Sequence, residues 1–591
     1  MRIVRAARDL GMRTIAVFSE ADRGALWTRL ADESLCIGPP PARQSYLNIE
    51  RILAAAELSG AEAVHPGYGL LSENAEFARA VLGAGLVFVG PAPETIAQMG
   101  DKVRARAAAA ACGVPILGGS DAPVSSVEAA LSVANSVGWP VVVKASFGGG
   151  GRGMRVVRSA GELAAAMEQS AREAQASFGQ AEIYVERFLE PIRHVEVQVL
   201  GDRHGRLIHL GDRDCSVQRR HQKLIEEAPA PALPERLRTR IAAAALKVAS
   251  SVSYQSAGTV EFLVDVANDA FYFLEMNTRL QVEHGVTELV TGIDLVAAQL
   301  RVASGAPLGL NQSDIHVSGH AIEVRIAAED PLAGFRVSPG VLRTVRQPTA
   351  PWVRSDFGVE SGDSVPGYYD SMFGKIMAWG TDRDLARRRL ANALGELVIE
   401  GLPTTAPYLR QLLDEPTFTA CRHHTASIEL DWVPDPGRYT PANISLPAAT
   451  DAAANHMRLT VRTVEIPWGA GSTSVAVYGV VPEASAATVA SSRTYRGGAT
   501  GSRSRAEDAH LVAAPMDAVV VHTPVIAGAT VFKGDALAIL EAMKMEVIIR
   551  SPRDGVVAAV HVSAGNAVQS GSILVALEIT EPRVNPLDPE R

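Results

Sequence analysis

The sequence predicts a multidomain protein in which an α/β domain is followed by an α+β region and then by a small all-β domain. Three observations predict this architecture. Helix and strand patterns alternate through residues 1–115, every second residue from Glu275 to Glu283 is polar, and residues 511–578 hold two copies of one unit. Alternating elements are typical of a parallel sheet, whereas short Val- and Ile-rich strands between Gly and Asp are typical of antiparallel barrels.

The composition is that of an ordinary globular protein. Of 591 residues, 47% are hydrophobic and 20% are charged, and the formal net charge is −9. Because no Lys/Arg block offsets this charge, we expect neither nucleic acid nor an anionic membrane as a partner. No apolar run approaches the roughly 20 residues of a membrane helix, so we expect a cytoplasmic protein. The cysteines have the spacing of neither a disulfide framework nor a zinc site: Cys36, Cys112, Cys215 and Cys421.

The first region predicts a parallel, doubly wound sheet. Three amphipathic helices are each followed by a short apolar strand, in the order helix 2–11, strand 14–18, helix 47–58, strand 63–65, helix 74–82 and strand 86–89. The loops at 65–69 and 90–91 follow strands, at the edge where such sheets bind ligands, although tight turns alone would explain them equally well.

The first strand of this sheet is expected before the first helix, yet Met1 leads directly into the helix. A missing inner strand would leave its neighbours with unpaired backbone groups, which costs stability. We therefore expect either that the true start lies upstream or that the first domain is poorly folded and weakly active.

A glycine-rich run follows the strand 140–144, which ends at Lys144. Glycines let backbone N–H groups approach phosphate oxygens, and the lysine supplies positive charge. The run lacks the spacing of a Walker loop. The later strand 183–189 has one polar insertion, Glu186, and suits an adenine hinge that binds through backbone groups. Together these segments resemble the lid and hinge of the ATP-grasp fold.

The stretch from Glu275 to Glu283 predicts a catalytic face. If this stretch is extended, its period of two places all five polar side chains on one face, although a solvated edge strand would show the same pattern. The preceding strand 259–264 carries Glu261 among apolar residues, and a buried carboxylate needs a partner or a metal. Glu261, Glu275 and Asn277 supply oxygen ligands that suit Mg²⁺ or Mn²⁺ on ATP phosphates.

The C-terminal repeat has Lys544 at its centre. Residues 514–520 align with 551–557, an offset of 37 that places Lys544 at the joint between the copies. An exposed lysine is usually only a solubilising charge. Here, however, Met543 and Met545 flank it, and Ala-Met-Lys-Met resembles the attachment site of biotin carboxyl carrier domains, whereas lipoyl carriers show Asp-Lys-Ala. The resemblance implies biotin attached covalently to Lys544 by a biotin protein ligase. Asp517-Ala518 departs from the usual Pro-Gly.

Residues 1–430 resemble biotin carboxylase, and the whole chain resembles the α subunit of a biotin-dependent acyl-CoA carboxylase. The matching motifs include 99–102, 213–223, 275–283 and 368–372. The resemblance implies these domains: a pre-ATP-grasp α/β domain 1–115 that lacks its first strand, an ATP-grasp lid 116–189, the ATP-grasp core with the carboxylase C-terminal domain 190–430, a β-rich connector 431–482, a flexible tether 483–510, an all-β biotinyl carrier 511–578 and a tail 579–591.

The resemblance also implies a role for each matching residue. Glu283 would be the general base, and Arg354 would stabilise the biotin enolate. Bicarbonate would be held by Lys223, Arg279, Gln281 and Val282, and the metal by Glu261, Glu275 and Asn277. ATP would be held by Lys102, Lys144, Gly148, Gly149, Gly150, Gly151, Glu186, Leu189, His194, Gln218, His221 and Leu263. Two positions depart from the family: Gly285 replaces a usual proline and Arg187 a common lysine.

The implied function is carboxylation of biotin on the chain's own carrier, driven by ATP and bicarbonate. A separate carboxyltransferase β subunit would transfer the group to an acyl-CoA of the acetyl, propionyl or methylcrotonyl type, in a hetero-oligomer. The sequence does not name the acyl-CoA. Residues 456–480 predict one or two hairpins that would dock this partner, and 483–509 a tether that reaches at most roughly 90 Å.

Three alternatives stay open. In the first, the chain is another ATP-grasp ligase with a fused carrier, but the 279–283 face and Arg354 would then have no shared purpose. In the second, the chain is a carrier and scaffold protein with an impaired catalytic half. In the third, the chain belongs to another biotin enzyme, such as a two-subunit pyruvate carboxylase.

Overall fold

The computed structural model describes residues 1–120, 122–145, 154–178, 182–435, 511–516, 518–542, 545–568 and 571–578, and the backbone of 457–468 and 471–482. Contacts divide the chain into two units. One comprises Met1–Ala442 with Leu511–Arg591, and the other comprises Asn443–His510.

The N-terminal region alternates helices and strands as predicted. Its elements are α1 (Arg2–Asp9), β1 (Ile15–Phe18), α2 (Leu26–Leu30), β2 (Glu33–Cys36), α3 (Ile49–Ser59), β3 (Ala63–Val64), α4 (Ala75–Gly83), β4 (Val87–Phe88), α5 (Pro93–Gly100) and α6 (Lys102–Ala111). The pairs β1·β2 and β3·β4 are parallel, which confirms the predicted direction. In the described residues they form two separate two-stranded sheets.

Polar side chains fix where these helices begin. The Asn48 side chain accepts a hydrogen bond from the N–H of Arg51 at the start of α3, and Asn74 accepts one from Phe77 at the start of α4. Both asparagines satisfy backbone donors that a helix leaves free at its first turn. Helix α3 ends at Gly60, whose φ of 64° is the left-handed conformation that glycine adopts without strain.

A small α/β unit follows. It contains α7 (Val127–Val137), β5 (Val141–Ala145), β6 (Arg155–Val157), α8 (Ala160–Phe178) and β7 (Ile183–Arg187), and its sheet is ordered β6-β5-β7. The two helices bury alanines and leucines against the valines of β5 and β7. The predicted strand 183–189 therefore ends two residues early, and the lid glycines 148–151 lie outside the described residues.

An antiparallel eight-stranded sheet forms the centre of the large unit. Its order is β12-β11-β8-β9-β10-β13-β20-β18, with β8 (Arg193–Gly201), β9 (Leu207–Arg219), β10 (Gln222–Ala228), β11 (Ser256–Asp265), β12 (Ala270–Asn277), β13 (His320–Ala327), β18 (Val353–Phe357) and β20 (Met372–Gly380). Strand β12 is an edge, so the segment that leaves it is free to turn across the sheet.

Helices and short ladders surround this sheet. The helices are α9 (Glu235–Ser251), α10 (His284–Thr291), α11 (Leu295–Ala303), α12 (Arg383–Glu396), α13 (Ala406–Leu412), α14 (Pro416–Thr419) and α15 (Ser427–Leu430). The short strands pair antiparallel and are β14 (Glu329–Asp330) with β15 (Arg336–Val337), β16 (Gly340–Val341) with β19 (Ser364–Val365), and β17 (Thr344–Arg346) with β21 (Val398–Glu400).

The second unit contains one antiparallel hairpin, β22 (Met457–Trp468) and β23 (Gly471–Pro482). This confirms a hairpin in the segment where one or two were predicted. The predicted tether and tail lie outside the described residues.

The C-terminal region forms two four-stranded antiparallel sheets, ordered β24-β31-β29-β26 and β28-β27-β25-β30. Their strands are β24 (Leu511–Ala513), β25 (Ala518–His522), β26 (Thr530–Val531), β27 (Ala536–Ala542), β28 (Met545–Arg550), β29 (Gly555–Val560), β30 (Ala567–Val568) and β31 (Ile573–Glu578). Adding 37 to the numbers of β25, β26 and β27 leads to β29, β30 and β31. The predicted all-β duplication is therefore confirmed.

Within the described part of the chain, none of the helices has the length and apolar character needed to cross a membrane.

Candidate active site

The predicted catalytic face is built by a strand end, a loop and a helix start. Strand β12 ends at Asn277, and Glu283 is the residue that precedes the first turn of α10. The prediction that the whole stretch is extended is therefore wrong beyond Asn277. Directly after the strand, Glu73 accepts hydrogen bonds from the Thr278 N–H and from Arg279 Nε, at 3.3 and 2.9 Å.

Glu283 lies at the centre of a buried charge cluster. Its side chain is fully buried, Oε1 accepts a hydrogen bond from Lys223 Nζ at 2.6 Å, and Oε2 accepts one from Arg325 Nη2 at 2.9 Å. Burial alone would raise the pKa of this carboxyl, but Lys223, Arg325 and Arg213 hold it well below the usual range. The carboxylate is therefore ionised and able to accept a proton.

Lys223 connects Glu283 to two further carboxylates. Its Nζ donates to Glu196 Oε2 at 2.6 Å and to Glu261 Oε1 at 2.9 Å. Glu196 is also bound by Arg213 Nε at 2.5 Å. The lysine thus stands between the predicted base and the predicted metal ligands.

The predicted bicarbonate residues meet around the same loop. Arg279 donates to Gln281 Oε1 at 3.1 Å and to Asn277 Oδ1 at 2.9 Å. The Gln281 amide lies 3.4 Å from Glu261 Oε1. The backbone oxygen of Val282 accepts a hydrogen bond from the buried Lys375 ammonium. Arg279, Gln281 and Val282 therefore lie on the loop that leads to Glu283, and Lys223 bonds Glu283 from β10.

The oxygen donors that a divalent cation would need stand together on β11 and β12. Glu261 and Glu275 are direct cross-strand partners, and the Asn277 amide donates to Glu261 at 2.8 Å. Burial, and then the neighbouring Glu261 carboxylate, raise the pKa of Glu275. His194 Nε2 lies 2.9 Å from Glu261 Oε2. Two adjacent carboxylates and an amide oxygen suit a hard cation, so this donor set fits Mg²⁺ or Mn²⁺.

A second cluster lies on the small α/β unit. Lys144 Nζ donates to Glu186 Oε2 at 2.5 Å, and Arg106 bonds the other oxygen of the same carboxylate. Burial, followed by the positive charges of Lys102 and Arg106, lowers the pKa of Lys144 to about 7. A phosphate group would offset this crowding of cations.

The other predicted ATP residues occupy strands or turns of the two sheets. Leu263 is paired with His194 across β11 and β8, and Gln218 is paired with Lys223 across β9 and β10. His221 is exposed in the turn between β9 and β10, and Leu189 is half-buried after β7. None of these positions bonds Glu283 in the described residues.

The hydrogen bonds of Arg354 go to Glu288 and Asp356. Arg354 Nη1 donates to Glu288 Oε2 at 2.7 Å, and its other nitrogens donate to Asp356. The arginine that bonds Glu283 is Arg325, which sequence reasoning missed. The signal was present, because Arg325 and Glu323 are charged residues inside the apolar strand β13, the same pattern that singled out Glu261 on β11.

Lys544 lies outside the described residues. The residues on either side of the Met543-Lys544 pair, Ala542 and Met545, are antiparallel partners at the ends of β27 and β28. The duplicated strands and this register are what a carrier domain requires.

The fold and the site define an ATP-dependent enzyme with a carrier domain on the same chain. Family models match most of its length: "Biotin carboxylase, N-terminal domain" over residues 1–96, "Carbamoyl-phosphate synthase L chain, ATP binding domain" over 101–311, "Biotin carboxylase C-terminal domain" over 323–430 and "Biotin-requiring enzyme" over 510–577.

Curated proteins and solved structures agree with these matches. The chain is 48% identical over 429 residues to biotin carboxylase 1 of Bacillus subtilis, which covers 73% of this chain and 95% of that protein. It is 48% identical to a pyruvate carboxylase subunit of Methanothermobacter thermautotrophicus, covering 73% and 87%. The crystal structure of a biotin carboxylase–β,γ-ATP complex from Campylobacter jejuni superposes with a TM-score of 0.71 at 45% identity, covering 72% and 95%.

The chain belongs to the biotin carboxylase family. It is an ATP-dependent ligase of the pre-ATP-grasp and ATP-grasp fold, and biotin and ATP are its cofactors.

Proposed function

We propose that this chain carboxylates biotin on its own Lys544, using ATP and bicarbonate, and that a separate carboxyltransferase subunit transfers the carboxyl group to an acyl-CoA. The observation that carries the catalytic half is the position of Glu283, an ionised buried carboxylate between Lys223 and Arg325 and next to the Arg279–Val282 loop. Such a group accepts a proton from a small anion held by the same cations.

Glu283 would remove the proton from bicarbonate. A carboxylate with a lowered pKa is a weak base, but the cations that lower its pKa also stabilise the doubly charged anion that proton removal creates. Bicarbonate held by Lys223, Arg279, the Gln281 amide and Val282 would therefore become more acidic. Its oxygen then attacks the γ-phosphorus of ATP, ADP leaves, and the proton stays on Glu283.

The small α/β unit and its neighbours would hold ATP. Lys144 and Lys102 would neutralise phosphate oxygens, with Glu186 orienting the first of them. The glycines 148–151 would bind phosphate oxygens through their backbone N–H groups. We assign adenine contacts to Leu189, His194, Gln218, His221 and Leu263. Glu261, Glu275 and Asn277 would hold Mg²⁺ or Mn²⁺, which supplies positive charge to the transferred phosphoryl group.

A positive charge is also needed where biotin is carboxylated. Biotin supplies the ureido nitrogen that receives the carboxyl group and is carried on Lys544. We propose Arg325 for the charge because it contacts Glu283 directly. The sequence resemblance implies Arg354 for this task, but the Arg354 guanidinium is shared between Glu288 and Asp356.

The partner and the acceptor complete the proposal. We keep residues 431–482 as the connector whose hairpin docks the carboxyltransferase, and 483–510 as the tether of the carrier, in a cytoplasmic hetero-oligomer. The acyl-CoA acceptor follows from the sequence resemblance to acyl-CoA carboxylase α subunits. The similarity to a pyruvate carboxylase subunit favours pyruvate as the second candidate acceptor.

The deciding measurement is ADP release by the purified chain with ATP, Mg²⁺ and free biotin, with and without bicarbonate. We expect release that depends on bicarbonate. Release that ignores bicarbonate would point to another ATP-grasp ligase, and no release from a folded chain would point to a scaffold protein. Purification of the partner subunit, followed by assay with acyl-CoAs and pyruvate, identifies the acceptor.

A further inference from the structure

A second pair of carboxylates stands next to the predicted base. Glu226 on β10 and Glu323 on β13 are direct partners in the antiparallel register, and both are fully buried. Arg325 joins Glu226 to Glu283, because its Nε donates to Glu226 Oε1 at 2.5 Å while its Nη2 donates to Glu283 Oε2 at 2.9 Å. Neither carboxylate has a place in the mechanism above.

Lys375 connects the carboxylate pair to the loop that carries the predicted bicarbonate residues. Lys375 on β20 lies 3.1 Å from Glu323 Oε2 and also donates to the backbone oxygen of Val282. Lys375 and Arg325 therefore connect the carboxylate pair to two consecutive residues, Val282 and Glu283.

Charge at this place does not balance if every acid is ionised. Glu226, Glu283 and Glu323 carry three negative charges, against Arg325, Lys375 and a share of Lys223, which also bonds two other carboxylates. Among the other charged neighbours, Arg213 acts on Glu283 but donates its own hydrogen bond to Glu196, and Asp356 is the strand partner of Lys375. Burial raises the pKa of Tyr68 and lowers that of His284, so both stay neutral.

Each of the two carboxyls also keeps one oxygen without a partner. Within the described residues, Glu226 Oε2 and Glu323 Oε1 are buried and accept no hydrogen bond. Side chains at directly opposed strand positions have Cβ atoms about 4.5 to 5.5 Å apart, so the two carboxyls reach each other. A buried acceptor without a donor is costly, and a proton between the two groups would remove that cost.

We propose that Glu226 and Glu323 hold one proton between them and act as positioning residues that set the positive charge around Glu283 through Arg325 and Lys375. The first half of this proposal concerns the protein alone, and the second half rests on the proposed role of Glu283. Burial raises the pKa of both carboxyls, against the opposing effect of Arg325 on Glu226 and of Lys375 on Glu323.

The shared proton has a consequence for catalysis. With the proton in place, the pair carries one negative charge, and Arg325 and Lys375 keep an excess of positive charge toward Glu283 and bicarbonate. Loss of the proton at alkaline pH would cancel that excess. The kcat/KM for bicarbonate is therefore expected to fall as the pair ionises.

Difference infrared spectroscopy of the purified chain tests the proton directly. The protein should show the C=O band of a protonated carboxyl that disappears as the pH is raised. We expect both Glu226→Gln and Glu323→Gln to lose this band. Glu227→Gln is the matched control, because Glu227 adjoins Glu226 and has a pKa lowered to about 2, so its substitution should leave the band in place. A parent-minus-variant difference spectrum that shows no lost C=O band for either single variant would overturn the shared proton.

Kinetics test the role of the pair. Glutamine imitates the neutral carboxyl, so each single variant should keep kcat/KM for bicarbonate within about tenfold of the parent at neutral pH, about 1.4 kcal/mol in activation free energy. Each should also lose the alkaline fall that the parent shows. A purely structural pair would lower thermal stability and leave the shape of the pH profile unchanged, which would contradict the role.

The two proposals fail separately. Absence of bicarbonate-dependent ADP release from the parent chain would reject the proposed function, whereas the infrared band is read without any substrate and decides the shared proton in either case.

Discussion

At the scale of single residues, the proposed reaction depends on whether Glu283 can take a proton. We expect Glu283→Gln to lower bicarbonate-dependent ADP release by about 10² to 10⁴, the usual contribution of a general base. ATP binding should hold, because the proposed ATP residues Lys144 and Glu186 bond each other and not Glu283. ADP release and nucleotide affinity measured on the same preparation separate the two effects.

Glu329→Gln is a suitable control for that variant. Glu329 is also a buried glutamate, but it bonds Ser371 and none of the residues around Glu283. Its substitution removes one hydrogen bond, which costs about 0.5 to 1.5 kcal/mol of stability, and removes no contact with Glu283. ADP release should therefore stay within about threefold of the parent. A loss as large as that of Glu283→Gln would show that burial, not base catalysis, explains both.

The second prediction at this scale compares Arg325 with Arg354. If Arg325 supplies charge where biotin is carboxylated, Arg325→Ala should lower carboxylation of free biotin by about 10² or more, because it removes a half-buried charge that contacts Glu283. Arg354→Ala should have a smaller effect, because its removal leaves Glu288 still bound to Arg2. Carboxylation of free biotin and ATP cleavage are measured for both variants. The reverse order of effects would return the role to Arg354.

The sequence predicts residues of this site where the polar and apolar pattern is sharp. Glu261 and Glu275 are carboxylates on strands of mainly apolar residues, and they meet as predicted. The charged residues inside the apolar strand β13 single out Arg325, but its contact with Glu283 was not predictable, because Glu283 is 42 positions away and only the pairing of β13 into the sheet brings them together. Contacts of this kind depend on topology, which local patterns do not contain.

At the scale of elements, one buried cluster joins strands of the sheet to the C-terminal helices. Glu227 on β10 accepts from His320 Nε2 on β13 at 2.8 Å and from Arg383 Nε on α12 at 2.7 Å. His423 approaches the same carboxylate at 3.7 Å and Asp214 on β9 at 3.1 Å. Three strands and a helix are thus held by one set of buried charges.

This cluster predicts how stability depends on pH. Although burial opposes it, Arg383 and His320 lower the pKa of Glu227 from 4.5 to about 2. The contribution of a carboxyl with a lowered pKa is fully present above its unfolded pKa and is lost as the pH falls through the folded value. Glu227→Gln should therefore cost about 3 kcal/mol at neutral pH and flatten the loss of stability between about pH 4.5 and about pH 2. Denaturant midpoints at a series of pH values measure both effects.

Glu396→Gln gives the matched comparison. Glu396 is exposed near the end of α12, so its substitution should change stability by no more than about 0.5 kcal/mol. Equal pH profiles for the two variants would show that Glu227 does not carry the effect.

Element boundaries were predictable where the chain repeats or alternates. The 37-residue offset in the sequence reappears in the strands, and its paired glycines have matching conformations: φ is 86° at Gly528 and 87° at Gly565. The end of β12 was not predictable, because the polar alternation continues to Glu283 after the chain has left the sheet. Side chains in a loop can keep a period of two when each one is held by a separate partner, as Arg279 is by Glu73.

At the scale of the whole molecule, the proposed base Glu283 and the proposed attachment residue Lys544 lie more than 250 positions apart in the sequence. The site around Glu283 is formed by β8 to β13 and α10, and Lys544 belongs to the duplicated C-terminal region. The two tasks should therefore be separable by mutation, because neither group of residues contributes strands to the sheets of the other.

Lys544→Ala makes that separation measurable. The variant should retain bicarbonate-dependent ADP release with free biotin, within about twofold of the parent, because substitutions away from buried contacts of the catalytic sheet rarely change its stability. Co-expressed with a biotin ligase, it should show no biotin by intact mass and incorporate no label from radioactive bicarbonate into the protein. Lys533→Ala, a change at another lysine of the same region, should behave as the parent in all three assays. Biotin retained by Lys544→Ala would place the attachment site elsewhere, and loss of ADP release with free biotin would show that the carrier lysine also serves the carboxylase site.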